Sequence, residues 1–374
     1  MGIAKTMMLS GLLTLLAAGC TETLPVRYKE SGLNSSFRYS GMAYPEYIAH
    51  MKRVIGQSRK DLTPENRERV IEWNAPFILE PDPAKCPALP GNRYRRGILL
   101  IHGLTDSPFH MRDLGEWFRG KCFLVYGLLL PGHGTVPGDL LTVTREDWEK
   151  ATQYGIAALR PRVEKLYAGG FSTGGALLVR EALNGERFDG LFLFAPALGL
   201  NTIKAAAAPV VSGVRPWDEI APDEDPAKYE SFTTNAAAQI WRLIHELSFK
   251  IDKEPVKSPI FLAVSADDQT IDPRAVVDFY TRVADTRSRA IIYSKAAQAK
   301  DPRFLYVDGA NPAENVLDMA HLSLTNAPSN PHYGQKGDYR NCMHYYPQDM
   351  ARWNTCKAGQ GPAGEKTKEN LAKG

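Results

Sequence analysis

Apolar and amphipathic stretches alternate through the middle of the chain. Short apolar runs predict buried strands, at Arg96–Ile101, Cys122–Leu129, Val163–Ala168, Asp189–Phe194, Pro259–Val264 and Arg289–Tyr293. Helical stretches lie between them, at Pro108–Arg119, Arg145–Leu159, Ala176–Leu183 and Pro273–Val283. This alternation favours the α/β class, with a mostly parallel central sheet that has helices on both faces.

Other parts of the chain depart from this alternation. Residues 199–257 contain no convincing strand but a long amphipathic helix, Asn235–Phe249, so we expect an inserted helical cap. Two further helices are expected upstream, at Tyr44–Ser58 and Pro64–Trp73. The expected division is a leader at 1–19, a tether with helices at 20–85, the α/β domain at 86–356 and a disordered tail at 357–374.

The N-terminus has the pattern of an export signal. Lys5 precedes an apolar run, Met7–Ala18, that is short for a membrane span and ends in Gly19-Cys20. Small residues before a cysteine resemble a bacterial lipobox, although Ala17 replaces the usual leucine. We therefore expect Cys20 to carry palmitate-type acyl chains that hold the protein on a membrane surface, by resemblance the outer membrane of the envelope. The alternative is a plain signal peptide with a coincidental cysteine.

Charge and cysteine content indicate which partners to expect and whether the protein resides in an oxidising compartment. The net charge is only +3 and basic residues are scattered, so a nucleic-acid surface is not expected. Four cysteines follow Cys20, an even number that suggests two disulfides in an exported chain. Of the three possible connectivities we favour local pairing, and the alternative is four buried thiols. The favoured pairs are Cys86–Cys122 and Cys342–Cys356.

One short motif carries candidate chemistry. Gly170-x-Ser172-x-Gly174 lies between a predicted strand and a predicted helix, which is the setting that a nucleophile elbow requires. Small residues around the serine let the strand and the helix approach closely. Such a motif also arises by chance, so the remaining chain must supply a base, an acid and an oxyanion hole.

Further motifs make the resemblance specific. They are Ile101-His102-Gly103, Leu130-Pro131-Gly132-His133-Gly134, Asp147-Trp148 and Gly170-Phe171-Ser172-Thr173-Gly174-Gly175. Together they resemble the α/β-hydrolase superfamily, and within it the chain is similar to monoacylglycerol lipases and bacterial carboxylesterases. The resemblance covers roughly residues 96–324. It implies a Ser–His–Asp triad in the chain order Ser, acid, His.

The resemblance also implies which residues act with Ser172. Asp268 follows a late strand and is the expected acid, with Asp267 and Asp272 as alternatives; Asp272 also resembles a helix cap. His321 is the expected base.

His332 and His344 are the alternatives for the base. A second candidate strand, Arg303–Val307, lies between Tyr293 and His321, and leaves the last strand of the sheet open.

The remaining site residues are expected in two loops. The amides of Leu104 and Thr173 are the expected oxyanion donors. His102 precedes the nucleophile and is not expected to be the base, and His133 is expected to shape its loop. No metal or cofactor is expected, since neither ligand spacing nor a phosphate-binding glycine pattern is present.

The expected function is therefore hydrolysis of carboxylic esters by a serine nucleophile. Apolar residues of the long cap helix suggest a lipid ester, such as a monoacylglycerol or lysolipid, although core packing explains them equally well. A thioesterase or amidase with the same triad is one alternative. A non-catalytic envelope lipoprotein that uses the fold as a binding scaffold is another.

Overall fold

A computed structural model describes residues 24–200, 204–251, 253, 255–295, 301–311, 319–334, 336–339, 342, 345 and 347–358. Cys20, His344 and residues 359–374 of the expected tail lie outside these residues. Across the described ranges, no helix combines the length and the apolar character needed to cross a membrane.

The strands and helices follow the predicted alternation. The helices are α1 Tyr44–Ser58, α2 Arg67–Asn74, α3 Arg112–Gly120, α4 Arg145–Leu159, α5 Thr173–Leu183, α6 Lys204–Val211, α7 Thr234–Lys250, α8 Pro273–Val283 and α9 Met350–Lys357. The strands are β1 Phe77–Leu79, β2 Tyr94–Ile101, β3 Leu124–Leu128, β4 Val163–Phe171, β5 Gly190–Phe194, β6 Trp217–Glu219, β7 Phe232–Thr233, β8 Ile260–Ser265, β9 Arg289–Tyr293 and β10 Phe304–Val307. The helix expected from Pro108 begins as a 3-10 turn, Pro108–Met111, before α3.

The main sheet confirms the α/β class. Its order is β1-β3-β2-β4-β5-β8-β9-β10, and every pairing is parallel except that of β1 with β3. The chain moves one way from β2 to β3 and the other way from β3 through β4 to β5. Right-handed crossovers therefore place α3 on one face and α4 and α5 on the other. Such a reversal of strand order opens a crevice at the carboxyl ends of the strands.

The edge of the sheet identifies the last strand. β10 pairs in parallel with β9, from Phe304 opposite Ala290 to Val307 opposite Tyr293. The second candidate strand, Arg303–Val307, is therefore part of the sheet, and the chain reaches His321 only after it.

The expected cap contains more β-structure than its sequence indicated. Two short strands, β6 and β7, pair antiparallel ahead of α7. Segments of two or three residues are too short to show the period-2 pattern of a strand. Glu246 of α7 accepts hydrogen bonds from Arg145 (2.6 Å) and Arg180 (3.2 Å), so the cap helix is tied to the body of the domain.

Residues 24–39 differ from the expected tether, because they pack along the domain. Tyr28 and Phe37 are buried, and the Tyr28 hydroxyl donates to the Ala221 carbonyl in the cap (2.6 Å). Asn34 is also buried, and its amide donates to the His133 carbonyl (2.8 Å). These partners lie about 100 to 200 residues away in the chain, so local polarity gave no sign of them.

Both favoured disulfides are confirmed. Cys86 is bonded to Cys122 and Cys342 to Cys356, with Cα–Cα distances of 5.5 and 5.9 Å. The first joins the segments that lead into β2 and β3. The second closes the C-terminal segment around α9.

Candidate active site

Ser172 lies at the sharp turn between β4 and α5. Its backbone has φ 51° and ψ −115°, a conformation that residues other than glycine rarely adopt. The turn is fixed by two hydrogen bonds, from the Ser172 amide to the Phe194 carbonyl and from the Ala197 amide to the Ser172 carbonyl, both 3.0 Å. Backbone strain that neighbouring contacts maintain in this way is typical of functional sites.

The flanking glycines are required by space. A Cβ added to Gly170 would lie 2.5 Å from the carbonyl carbon of Gly174. A Cβ added to Gly174 would lie 2.3 Å from the carbonyl oxygen of Ile101 in β2. The Gly-x-Ser-x-Gly motif is therefore a packing requirement of this turn and not a chance match.

The two expected oxyanion donors follow neighbouring strands. β2 and β4 are in register, with Ile101 opposite Gly170, so the loop holding Leu104 and the turn holding Ser172 leave the same edge of the sheet. Thr173 is the first residue of α5, where an amide has no acceptor within the helix and the helix dipole favours negative charge. Thr105 continues the loop at φ 65°, and its carbonyl accepts from the Tyr229 amide (2.8 Å).

The three candidate aspartates have different surroundings. Asp268 follows β8, its side chain is fully buried, and its Oδ1 accepts from the amides of Thr270 (2.8 Å) and Ile271 (3.1 Å). Asp267 is exposed to solvent. Asp272 caps α8 by accepting from the Arg274 amide (2.9 Å).

His321 meets Asp268 across 53 residues of chain. Its Nδ1 lies 2.6 Å from Asp268 Oδ2, and its ring centroid lies 4.7 Å from that of Phe171, the residue before Ser172. When Nδ1 donates its proton to the carboxylate, Nε2 carries the free lone pair that a general base needs. His332 is instead hydrogen-bonded to Asp225 and Asp338.

His102 and His133 are fully buried and hold loop backbone. The Leu130 amide donates to His102 Nε2 and the Thr105 amide to His133 Nε2, both at 3.1 Å. Each ring therefore carries its proton on Nδ1, which donates to a carbonyl oxygen, of Gly103 (2.8 Å) or Pro131 (2.9 Å). Burial lowers the pKa of His102 well below its usual range and that of His133 to about 4.

These lowered pKa values predict a loss of stability in mild acid. Below pH about 6.5 the unfolded imidazole takes up a proton, whereas the His133 ring stays neutral until about pH 4. The free energy of unfolding should therefore fall between these values, by about 3 kcal/mol from His133 alone. Urea unfolding at pH 7.5 and pH 5 measures the part of this change that falls above pH 5, which is about 2 kcal/mol from His133.

A His133→Gln variant isolates the contribution, because an amide does not titrate. Its stability should depend less on pH than that of the wild type over the same range. His332 has a raised pKa and works in the opposite direction, but it is common to both proteins. Identical pH dependence in the two proteins would contradict the prediction.

One group of polar residues was not predicted from the sequence. Asp106, His110, Asp225 and His332 are all buried near the loop of Leu104. Only tertiary contacts bring these residues together, so no spacing in the sequence indicates them. Over the part of the chain that the structure describes, no group of three or more His, Cys, Asp or Glu side chains has a metal-binding arrangement.

Similarity to known proteins covers the central part of the chain. Residues 92–297 match the family described as serine aminopeptidase, S33. A thermostable monoacylglycerol lipase of Bacillus sp. (strain H-257) is 26% identical over 200 residues, which are 52% of this chain and 79% of that protein. A carboxylesterase of Bacillus subtilis (strain 168) is 22% identical over 195 residues, covering 50% and 78%.

A solved structure, the monoacylglycerol lipase of Paleococcus ferrophilus, is 19% identical and has a TM-score of 0.47 over 59% of this chain and 88% of that one. The family match spans more than half of the chain and includes β2, β4, the elbow and β8. The sheet order and the elbow are consistent with this family match. We conclude that this chain belongs to the serine aminopeptidase S33 family, with the α/β-hydrolase fold.

Proposed function

We propose that the protein is a serine hydrolase of the esterase and lipase kind, which cleaves carboxylic esters. One observation carries the proposal: His321 is hydrogen-bonded to buried Asp268, and its ring packs on the residue that precedes the strained Ser172. A buried carboxylate that orients a histidine next to an elbow serine is the arrangement that activates a hydroxyl for attack on a carbonyl.

The proposed reaction has two halves. His321 Nε2 takes the Ser172 proton as Oγ attacks the ester carbon, and the carbonyl oxygen becomes an oxyanion that the amides of Leu104 and Thr173 stabilise. His321 then gives the proton to the departing alcohol, which leaves an acyl group on Ser172. Water, deprotonated by His321, attacks that ester. The bond from the acyl carbon to Ser172 Oγ then breaks, His321 returns the proton to Oγ, and the carboxylic acid is released. Asp268 stabilises the charged imidazole in both halves.

The proposed substrates are lipid esters such as monoacylglycerols. Two curated relatives are a monoacylglycerol lipase and a carboxylesterase, which favours esters of this kind. The family description names an aminopeptidase, which makes amide cleavage the second candidate for the same triad. A non-catalytic scaffold is disfavoured, because a scaffold does not need a strained serine at φ 51°.

A substrate panel on the protein lacking residues 1–20 tests these candidates. It should contain p-nitrophenyl esters of increasing acyl length, monoacylglycerols, acyl thioesters and aminoacyl p-nitroanilides, and a fluorophosphonate probe should report the labelled residue. We expect labelling of Ser172 and faster hydrolysis of esters than of anilides. Faster anilide cleavage would favour the aminopeptidase candidate, and a protein that neither reacts nor hydrolyses would favour the scaffold.

We also propose that the protein is a bacterial envelope lipoprotein anchored through Cys20, with the outer membrane as its location. The residues around the cysteine support this, and so does the presence of two disulfides, which persist in oxidising compartments. Packing along the domain begins with Arg27 and Tyr28, whose side chains donate to the carbonyls of Pro222 and Ala221, a short distance along the chain from Cys20. The seven residues after Cys20, up to Arg27, span at most about 25 Å, so an anchored enzyme would lie close to the membrane.

Replacement of the cysteine tests the anchor. Cys20→Ser removes the thiol that acyl chains would modify, so the protein should move from the membrane fraction to the soluble fraction of cells. Thr21→Ser keeps the cysteine and should stay with the membranes. Equal membrane retention of both variants would contradict the anchor.

A further inference from the structure

A buried polar cluster lies behind the loop that holds Leu104, and the proposed reaction does not use it. Asp106 lies in the loop and is 2% exposed, and His110 lies in the 3-10 turn that follows and is 0% exposed. Asp225 of the cap and His332 of the C-terminal segment are 3% and 5% exposed. We call these four residues, with Lys228 and Tyr333, the Asp106 cluster. Ionisable groups are rarely buried without a partner, so their contacts are informative.

Asp106 supports the loop directly. Its amide donates to the Gly103 carbonyl (3.4 Å), and a Cβ added to Gly103 would lie 2.5 Å from Asp106 Oδ2. The carboxylate therefore fills the space next to the backbone that leads into Leu104. Its Oδ1 lies 3.5 Å from His110 Nε2 and 3.8 Å from Lys228 Nζ.

The cap also contacts this loop. Lys228 and Tyr229 are adjacent, and the Tyr229 amide donates to the Thr105 carbonyl (2.8 Å). The Tyr229 hydroxyl in turn accepts from the Thr135 amide (2.7 Å). Two consecutive cap residues thus contact two consecutive loop residues. Tyr229 is bonded to Thr105 through the backbone, and the Lys228 ammonium group forms an ion pair with Asp106.

The C-terminal segment fixes this part of the cap. Asp225 accepts from Tyr333 Oη (2.8 Å), and one of its oxygens lies 3.1 Å from His332 Nε2. Burial opposes the charge on His332, but its hydrogen bonds to Asp225 and Asp338 raise its pKa above the usual range. The Tyr333 ring also stacks on His110, with centroids 4.6 Å apart. These C-terminal residues lie beyond the family match, which ends at residue 297.

We infer that Lys228 and Asp106 are positioning residues, which hold the Leu104 amide in the geometry that binds the oxyanion. The inference rests on the proposed function, because it assigns a role within that reaction. Oxyanion donors act only when they are held in place before charge develops. A buried carboxylate next to that charge would oppose it, so Asp106 needs the positive charge of Lys228.

Lys228→Gln tests the inference through a trifluoromethyl ketone inhibitor. Ser172 Oγ adds to the ketone carbon, the serine proton passes to His321, and the ketone oxygen becomes an oxyanion, so affinity reports the oxyanion hole. We expect Lys228→Gln to lower kcat and ketone affinity by about 10- to 100-fold, which is less than the roughly 100- to 1,000-fold loss for removal of a donor, because the Leu104 amide is displaced and not removed. KM for a short ester should change far less. The control, Lys257→Gln, replaces an exposed lysine of the same cap and should match the wild type.

A double variant separates positioning from general damage. Asp106→Asn alone should weaken ketone binding, but its addition to Lys228→Gln should cause no further loss, because the pair is already broken and the substitution also removes the unpaired carboxylate. Wild-type ketone affinity in Lys228→Gln, or losses that multiply in the double variant, would overturn the inference. If Lys228→Gln does not fold, the isosteric Asp106→Asn decides alone, and unchanged ketone affinity in it would overturn the inference.

The same measurements distinguish failure of the proposed function. Ester hydrolysis that survives Ser172→Ala would overturn the proposed function, and this inference with it. The inference alone would be overturned if hydrolysis requires Ser172 and is blocked by the ketone, but kcat and ketone affinity are unchanged by substitution of Lys228 and Asp106.

Discussion

Ser172→Ala is expected to lower kcat for ester hydrolysis by about 10⁴- to 10⁶-fold, the order of loss that removal of the nucleophile causes in serine hydrolases. Without Oγ no acyl-enzyme forms, and His321 can only activate water directly. The fold should persist, because alanine keeps the Cβ and the backbone hydrogen bonds to Phe194 and Ala197 involve no side-chain atom. The residual rate reflects binding and the oxyanion donors.

The measurement is kcat on a p-nitrophenyl ester, with circular dichroism to establish folding. Ser248→Ala is a matched control, because Ser248 is an exposed serine of α7 whose hydroxyl bonds only locally, to the His245 carbonyl (2.8 Å). It should keep wild-type activity and react with a fluorophosphonate, whereas Ser172→Ala should do neither. Retention of activity in folded Ser172→Ala would remove Ser172 from the mechanism.

Much of the fold could be predicted because its signals are local. The strands β2, β4, β5 and β8 are buried on both faces, so each appears in the sequence as an apolar run. The elbow is readable for a similar reason, since Gly170 and Gly174 are set by steric contacts within a few residues of Ser172 and with β2. Sequence patterns report such short-range constraints well.

The parts that could not be predicted depend on distant partners. Residues 24–39 look like a linker because the groups that bury them lie in the cap and in the loop of His133. The Asp106 cluster draws its members from the region of the Leu104 loop, the cap and the C-terminal segment. Neither periodicity nor spacing in the sequence indicates which polar residues will be in contact, because tertiary packing determines those contacts.

The acid of the proposed triad could be predicted from the sequence only in part. The sequence narrows the acid to Asp267, Asp268 and Asp272, since all three follow the same strand. Only the fold separates them: Asp268 alone is hydrogen-bonded to His321, Asp267 is exposed, and Asp272 caps α8. Two adjacent carboxylates with such different surroundings form a natural pair of variants.

Asp268→Asn is expected to lower kcat by about 10³- to 10⁴-fold, with little change in KM. Asparagine can still accept from the Thr270 and Ile271 amides through Oδ1, so the turn after β8 should keep its shape. Its amide nitrogen would then face His321 Nδ1 as a donor. The imidazole would have to accept at Nδ1 and carry its proton on Nε2, which is the wrong tautomer for removing the Ser172 proton.

Asp267→Asn is the matched control, because it makes the same chemical change one residue earlier on an exposed side chain. Substitutions at such exposed positions change the free energy of unfolding by about 0.5 kcal/mol or less, so the variant should fold normally. The bond to His321 comes from Asp268, so kcat of Asp267→Asn should stay close to that of the wild type. A kcat series at constant pH, with fluorophosphonate labelling rates for each variant, measures both effects. Equal losses in the two variants would mean that removal of negative charge, and not orientation of His321, accounts for the effect, and a larger loss in Asp267→Asn would reassign the acid.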